Sequence, residues 1–224
     1  MATRTHRADR RTEALSKQRI VGAAIEILDE GGEGALTFRA LAARLATGSG
    51  AIYHHVADKD ALLAAAVDEV VARVTARSAG GEDPREAVRA VALGVFDAID
   101  ARPWVGTQLS REPWQDATLR VLEGFGGPLG TLGVPEHAQF DCATALLSYV
   151  LGLAGQYAAG ARLLPPGTDR SAFLSTVADR WARLAPEEYP FVRRMADRLP
   201  DHDDRAQFLA GIDLLLTGIA AIPS

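Results

Sequence analysis

The chain has 224 residues, 48% of them hydrophobic and 24% charged, with a formal net charge of -5. This is ordinary globular composition, and the length allows one large domain or a small one beside a larger one, either with a sizeable core. The single cysteine, Cys142, excludes an internal disulfide and any multi-cysteine metal site, and no uncharged apolar run is long enough to span a membrane.

The acidic average hides an asymmetry. Residues 1–20 carry six Lys or Arg against Asp9 and Glu13, whereas the acidic excess lies beyond residue 60. One basic end suits a surface that faces phosphate. The N-terminus has arginines but no apolar segment of a secretory signal, so the chain is expected in the cytoplasm.

Residues 1–15 are polar and without period, and read as a basic flexible arm with Arg4, Arg7, Arg10 and Arg11. Such an arm can lie in a minor groove or stay solvated. From Ser16, a plausible N-cap, the positions Ile20, Ala23, Ala24, Ile27 and Leu28 follow a helical period, and Gly31 and Gly32 stop it. Thr37 can cap a second helix through Phe38, Leu41, Ala42 and Leu45. Ala46-Thr47-Gly48 then makes a turn. A third helix is expected over Ser49–His55, with Ile52 and Val56 facing inward, and Asp58 caps a fourth of about 20 residues. SAGGEDP (78–84) reads as a linker, and Pro84 opens a helix that ends before Pro103. Short helices are expected over 104–111 and 114–123, then a loop-rich break over 124–135. A long apolar helix follows from about His137 to Ala161, then helices over 170–184, around Phe191–Leu199, and over 206–220. No stretch alternates with period two, so the expected fold is all-α.

Residues 36–63 carry the functional signal. Two short helices across a tight turn make the layout of a DNA-reading helix-turn-helix. A reading helix needs small or polar residues at its front, and Gly48, Ser49, Gly50 and Ala51 supply them. Tyr53 lies one turn on, with a hydroxyl suited to a phosphate oxygen, and His55 can donate to the backbone. Thr37 and Arg39 open the preceding helix, where backbone N–H groups favour an anion. Lys59 is a cation in the first turn of a helix, which opposes the macrodipole; a phosphate is a reason for it to be there. Singly, each of these is as well explained as surface. Their joint spacing is harder to reach by chance.

At these residues the sequence resembles the TetR-type (tetracycline-repressor) family of bacterial regulators. That family carries a pattern like T-x-R-x-L-A-x-x-L-G-V, a few small or polar residues, then L-Y-x-H-[FV]-x-x-K-x-x-L. Here it runs through Thr37, Arg39, Leu41, Ala42 and Leu45, then Ile52, Tyr53, His55, Val56, Lys59 and Leu62. The resemblance covers about residues 16–63. It implies that Thr37, Arg39, Ser49, Gly50, Tyr53, His55 and Lys59 lie at double-stranded operator DNA. The usual Gly-Val of the turn is Ala46-Thr47 here. Ala costs roughly 1 kcal/mol where φ is positive, so a slightly different turn is expected.

The expected domains are the arm (1–15), the helix-turn-helix (16–63) and an effector-binding and dimerisation domain (64–224). The last has no G-x-S-x-G, Walker, H-E-x-x-H or dinucleotide signature, so no catalytic residue, cofactor or metal is expected. Gly152, Gly155 and Ala159 on one helix, and Gly211, Leu215 and Gly218 on the last, suit close helix packing. The resemblance implies that they form a homodimer interface, with packing inside one chain as the alternative. Phe96, Trp104, Trp114, Phe125, Tyr149 and Tyr157, with the polar Gln108 and Gln156, suit a pocket for a small apolar effector or else plain core. The whole reads as a dimeric repressor released from a palindromic operator by its effector. An all-α small-molecule carrier without sequence-specific DNA binding stays open as the alternative.

Overall fold

Ser16 opens the first helix: its Oγ accepts the Arg19 N–H at 3.3 Å. The structure, a computed structural model, describes residues 15–78, 83–163 and 168–223, and among them every regular element is helical. The arginines of the basic arm, residues 79–82 of the linker and residues 164–167 lie outside the described residues. The chain divides into two compact units, one running through Ala66 and the other starting at Val67.

In the first unit, α1 spans Lys17–Ala35 and buries Ile20, Ala24, Ile27 and Leu28, the stripe its period predicts. Its backbone breaks at Gly32 (φ 66, ψ -170), a conformation an L side chain resists, before one last turn. Thr37 caps α2 (Phe38–Arg44) by accepting the Ala40 N–H at 3.1 Å. α3 spans Ser49–Tyr53, two residues shorter than expected, since His54 already caps it. Asp58 Oδ1 accepts the Ala61 N–H at 2.8 Å and starts α4, Lys59–Ser78, which continues into the second unit. Leu41, Ile52 and Leu62 are fully buried, and α2 packs on both α1 and α3.

The turn between α2 and α3 keeps its left-handed residue. Ala46 sits at φ 51, the sole non-glycine with positive φ among the described residues. The Thr47 N–H reaches the Ala42 carbonyl at 3.0 Å and the Ala46 N–H the Ala43 carbonyl at 3.2 Å, which is a Schellman motif. The expectation of a different turn type is therefore corrected: the hydrogen bonds hold the shape and Ala bears the strain. The same motif ends a helix of the second unit with Gly133 (φ 79) at the equivalent place. A left-handed conformation costs an L residue about 1–2 kcal/mol, and the unfolded-state freedom of Gly takes back about 0.4–1. Ala46→Gly should therefore stabilise the protein by about 0.5–1 kcal/mol. The urea midpoint should rise with an unchanged slope; a fall would mean the left-handed geometry carries no strain.

In the second unit, α5 (Pro84–Ala101) starts at an Asp83 cap with Pro84 in its first turn. α6 spans Pro103–Arg111, α7 Asp116–Thr131, α8 Glu136–Leu163, α9 Arg170–Ala182 and α10 Pro190–Met195; a 3-10 turn covers Ala196–Arg198, and α11 spans Asp204–Ala220. α5, α7 and α8 pack on one another, α6 lies against α5 and α8, and α11 against α8 and α5. α9, α10 and the 3-10 turn form a smaller group. Arg89 of α5 meets Asp213 of α11 at 2.6 Å.

α7 corrects the expected break over 124–135. It continues through Gly124, Gly126, Gly127 and Pro128, because Val121, Phe125 and Leu129 recur on one face and are fully buried. Gly and Pro in a helix cost about 1 and 3 kcal/mol each, and burying three apolar side chains at about 1.5–3 kcal/mol each offsets a cost of that size. Gly124 also lets α5 approach: a Cβ there would stand 3.2 Å from both Val91 methyls. No helix of the described residues is long and apolar enough to cross a membrane.

Candidate DNA interface

The capped start of α2 and the short α3 present the expected DNA residues outward. Thr37, Arg39, Gly50, Tyr53 and His55 are exposed, Ser49 half-exposed and Lys59 half-buried. Gly48 and Gly50 have ordinary φ, and a Cβ at either would meet nothing within 4 Å. The fold itself requires neither glycine.

The two arginines of α2 are used differently. Arg44 is braced against α1, with one amino group 3.2 Å from Glu26 and the other on Glu30. The hydrogen bond from Arg44 holds the Glu30 carboxyl below its usual range. Arg39, on the exposed face, makes no ion pair among the described residues. One guanidinium thus fixes α2 on α1 and the other remains available to a partner.

Tyr53 is 55% exposed, yet its ring is held: it stacks on Phe38 with centroids 4.4 Å apart and planes 7° from parallel. Offset stacking of this kind fixes the direction of the hydroxyl. Phe38 is thus a positioning residue that sequence reasoning took only for an apolar position of α2.

Lys59 has a structural partner the spacing did not reveal. Its Nζ donates to the Glu33 carbonyl at 2.7 Å, at the end of α1, where unsatisfied carbonyls attract a cation. The ammonium keeps two further N–H donors. Its place at the mouth of α4 therefore has a reason apart from phosphate.

The second unit separates the expected effector residues. Phe96, Trp104, Gln108 and Phe125 are buried and Tyr149 half-buried, but Gln156 is exposed and Trp114 is 79% exposed. The last two fall outside any common cluster, because Trp114 sits in the connection between α6 and α7 and Gln156 points off α8. The aromatic group that does form is Phe96, Phe208, Tyr149 and Tyr157. Phe208 lies 4.5 Å from Phe96 and 5.6 Å from Tyr149, and Phe96 meets Tyr157 edge-on at 6.0 Å. Burial, then Asp204, pushes the Tyr157 phenol up to about 12, and its hydroxyl donates to Gln207 Oε1. A separate open cavity of about 670 Å³ lies among α9, α10 and α11, lined by Trp181, Phe191, Val192, Met195 and Leu199.

The small-residue helices also divide. Gly152, Gly155, Ala159 and Gly218 are exposed, and Leu215 is half-buried. Gly211 is used within the chain, since a Cβ there would collide with the Tyr149 phenol, whose hydroxyl donates to the Phe208 carbonyl at 3.2 Å. Beside Gly218 the structure exposes Leu214, 75% accessible, which the sequence reading did not single out.

Comparison with known proteins bears on both units. Residues 20–66 match the model of the family described as bacterial regulatory proteins, tetR family. The solved transcriptional regulator SCO7222 of Streptomyces coelicolor, itself described as a TetR, is 51% identical, with a TM-score of 0.84 over 93% of this chain and 99% of that one. An HTH-type transcriptional regulator of Saccharopolyspora erythraea is 27% identical over 97% of this chain and 90% of its own length. The class D tetracycline repressor of Escherichia coli is 29% identical over 91% of this chain and 88% of its own length. With the outward face of α2 and α3 and full-length likeness to one such regulator, the chain belongs to the TetR family of DNA-binding transcriptional regulators.

Proposed function

We propose that the protein is a repressor that binds a palindromic operator as a homodimer and leaves it when a small, largely apolar molecule enters the second unit. The observation that carries the DNA part is the pairing of an exposed Arg39 with two glycines that the fold does not need. Thr37, Arg39, Ser49, Gly50, Tyr53, His55 and Lys59 are the proposed contacts. Likeness to the tetracycline repressor supports repression and a small effector. A carrier without DNA binding is not favoured. Release would be a population shift: the effector stabilises spacings of the two reading heads that do not fit the operator.

Arg39 and Ser49 are assigned to base edges, Tyr53 and Lys59 to phosphates. Arg39→Ala should cost about 1–3 kcal/mol on operator selected from a random duplex pool, and less on random DNA. Lys59→Ala should weaken both DNAs about equally and lower the salt slope by about one unit. Because Lys59 also holds the Glu33 carbonyl, each variant is melted first and compared at a temperature where it is folded. Binding to both DNAs across a salt series is the measurement. A wild type without preference for any duplex would sink the function; a Lys59→Ala variant that changed sequence preference would sink the division of contacts.

A further inference from the structure

Among the described residues, two buried side-chain polar atoms lack a hydrogen-bond partner: Gln108 Nε2 on α6 and Thr118 Oγ1 on α7. Gln108 is 5% exposed and Thr118 2%. Gln115 links the two residues. Its Nε2 donates to the Gln108 carbonyl at 2.9 Å, and its own carbonyl accepts the Thr118 N–H at 2.9 Å. The surroundings are apolar. Trp104 is buried one turn before Gln108, and Val121 and Phe125 are buried one and two turns after Thr118.

Roughly nine in ten buried polar groups in folded proteins are paired, so two orphans beside one linking residue need a reason. Apolar side chains of similar shape would remove the penalty without changing the packing. Their retention is explained if something else supplies the missing partner. An amide N–H has only donors to offer, so its partner must be an acceptor; a hydroxyl can donate to the same oxygen. The indole of Trp104 and the ring of Phe125 suit a flat ring system beside that oxygen.

We propose that Gln108 and Thr118 are the polar end of the effector site, and that the effector is a ring compound carrying a carbonyl oxygen. This rests on the effector reading above and names its chemistry; Thr118 joins the site although no motif points to it. The ligand enters between α6 and α7, and its oxygen accepts from Gln108 Nε2 and from the Thr118 hydroxyl.

The test uses the full-length wild type, Gln108→Leu and Thr118→Val. The probes are matched pairs of one carbon skeleton with and without a carbonyl: 1-tetralone against tetralin, and 9-fluorenone against fluorene. Calorimetric titration should show a ketone binding at least about tenfold tighter than its hydrocarbon to the wild type, the worth of one hydrogen bond. That preference should vanish in Gln108→Leu and shrink in Thr118→Val. Without ligand, both variants should melt about 2–4 °C higher than the wild type, since each removes an orphan. Equal binding within both pairs, no binding of either ketone, or lower melting of the variants would overturn the proposal. A duplex-binding arm separates the two readings. Ketones that bind through the pair and leave DNA binding untouched would defeat the effector reading alone. Hydrocarbons that release DNA as well as ketones would defeat the polar pair alone.

Discussion

Leu214→Glu should yield a monomer that has lost at least about 100-fold in operator affinity, the low end of what bivalent attachment adds. Leu214 is 75% exposed on α11, with Ala210 one turn before it and Gly218 one turn after, both exposed. Gly152, Gly155 and Ala159 give α8 a second exposed face of small residues. A stable dimer buries on the order of 1,200–2,000 Å² in all, and small residues let helices approach closely enough to exclude water there. A carboxylate placed in such a seam is desolvated without a partner, at a cost of roughly 3–5 kcal/mol in each subunit. Leu214→Met keeps shape and polarity and should change little. Sedimentation at several concentrations, with binding to one and two half-sites, is the measurement. A Glu variant of dimer mass and unchanged affinity would place the interface elsewhere. Gly218→Glu, one turn away, should behave alike.

The largest loss of stability is expected from Phe208→Ala, about 3–5 kcal/mol. Phe208 is fully buried on α11, stacked on Tyr149 and tilted against Phe96. Its neighbours are poorly able to fill the space. The Tyr149 ring is already seated over Gly211, and its hydroxyl holds the Phe208 backbone carbonyl, which the variant retains. A cavity therefore stays open, and the loss is a large part of the 5–15 kcal/mol typical of a whole protein. Urea unfolding at one fixed protein concentration should show the midpoint fall with an unchanged slope. A drop under about 1 kcal/mol would mean that α8 and α11 close over the gap.

The helix-turn-helix was legible because its signals are local. Caps at Ser16, Thr37 and Asp58 act within one turn, and the stripe of α1 follows from 3.6-residue geometry, so one segment holds all the information. The apolar faces of α5 and α11 were readable for the same reason. Even the strained place at Ala46 could be located from the spacing of the motif, although its turn type could not.

Partners far apart in sequence were decided only by the tertiary structure. Lys59 finds the Glu33 carbonyl, Arg44 finds Glu26 and Glu30, and Phe38 slides under Tyr53; no period in the sequence encodes these meetings. α7 stayed helical through its glycines and Pro128 because α5 and α8 bury Phe125 and Leu129, a gain that local propensity does not contain. Composition likewise grouped Trp114 with Trp104, and folding separated them, since exposure depends on what packs over a residue and not on what it is. The sequence by itself determined the family, most of the helices and the residues that α2 and α3 turn outward. Packing alone decided which glycines are spent inside the chain, which aromatics meet, and that Gln108 and Thr118 are left without partners.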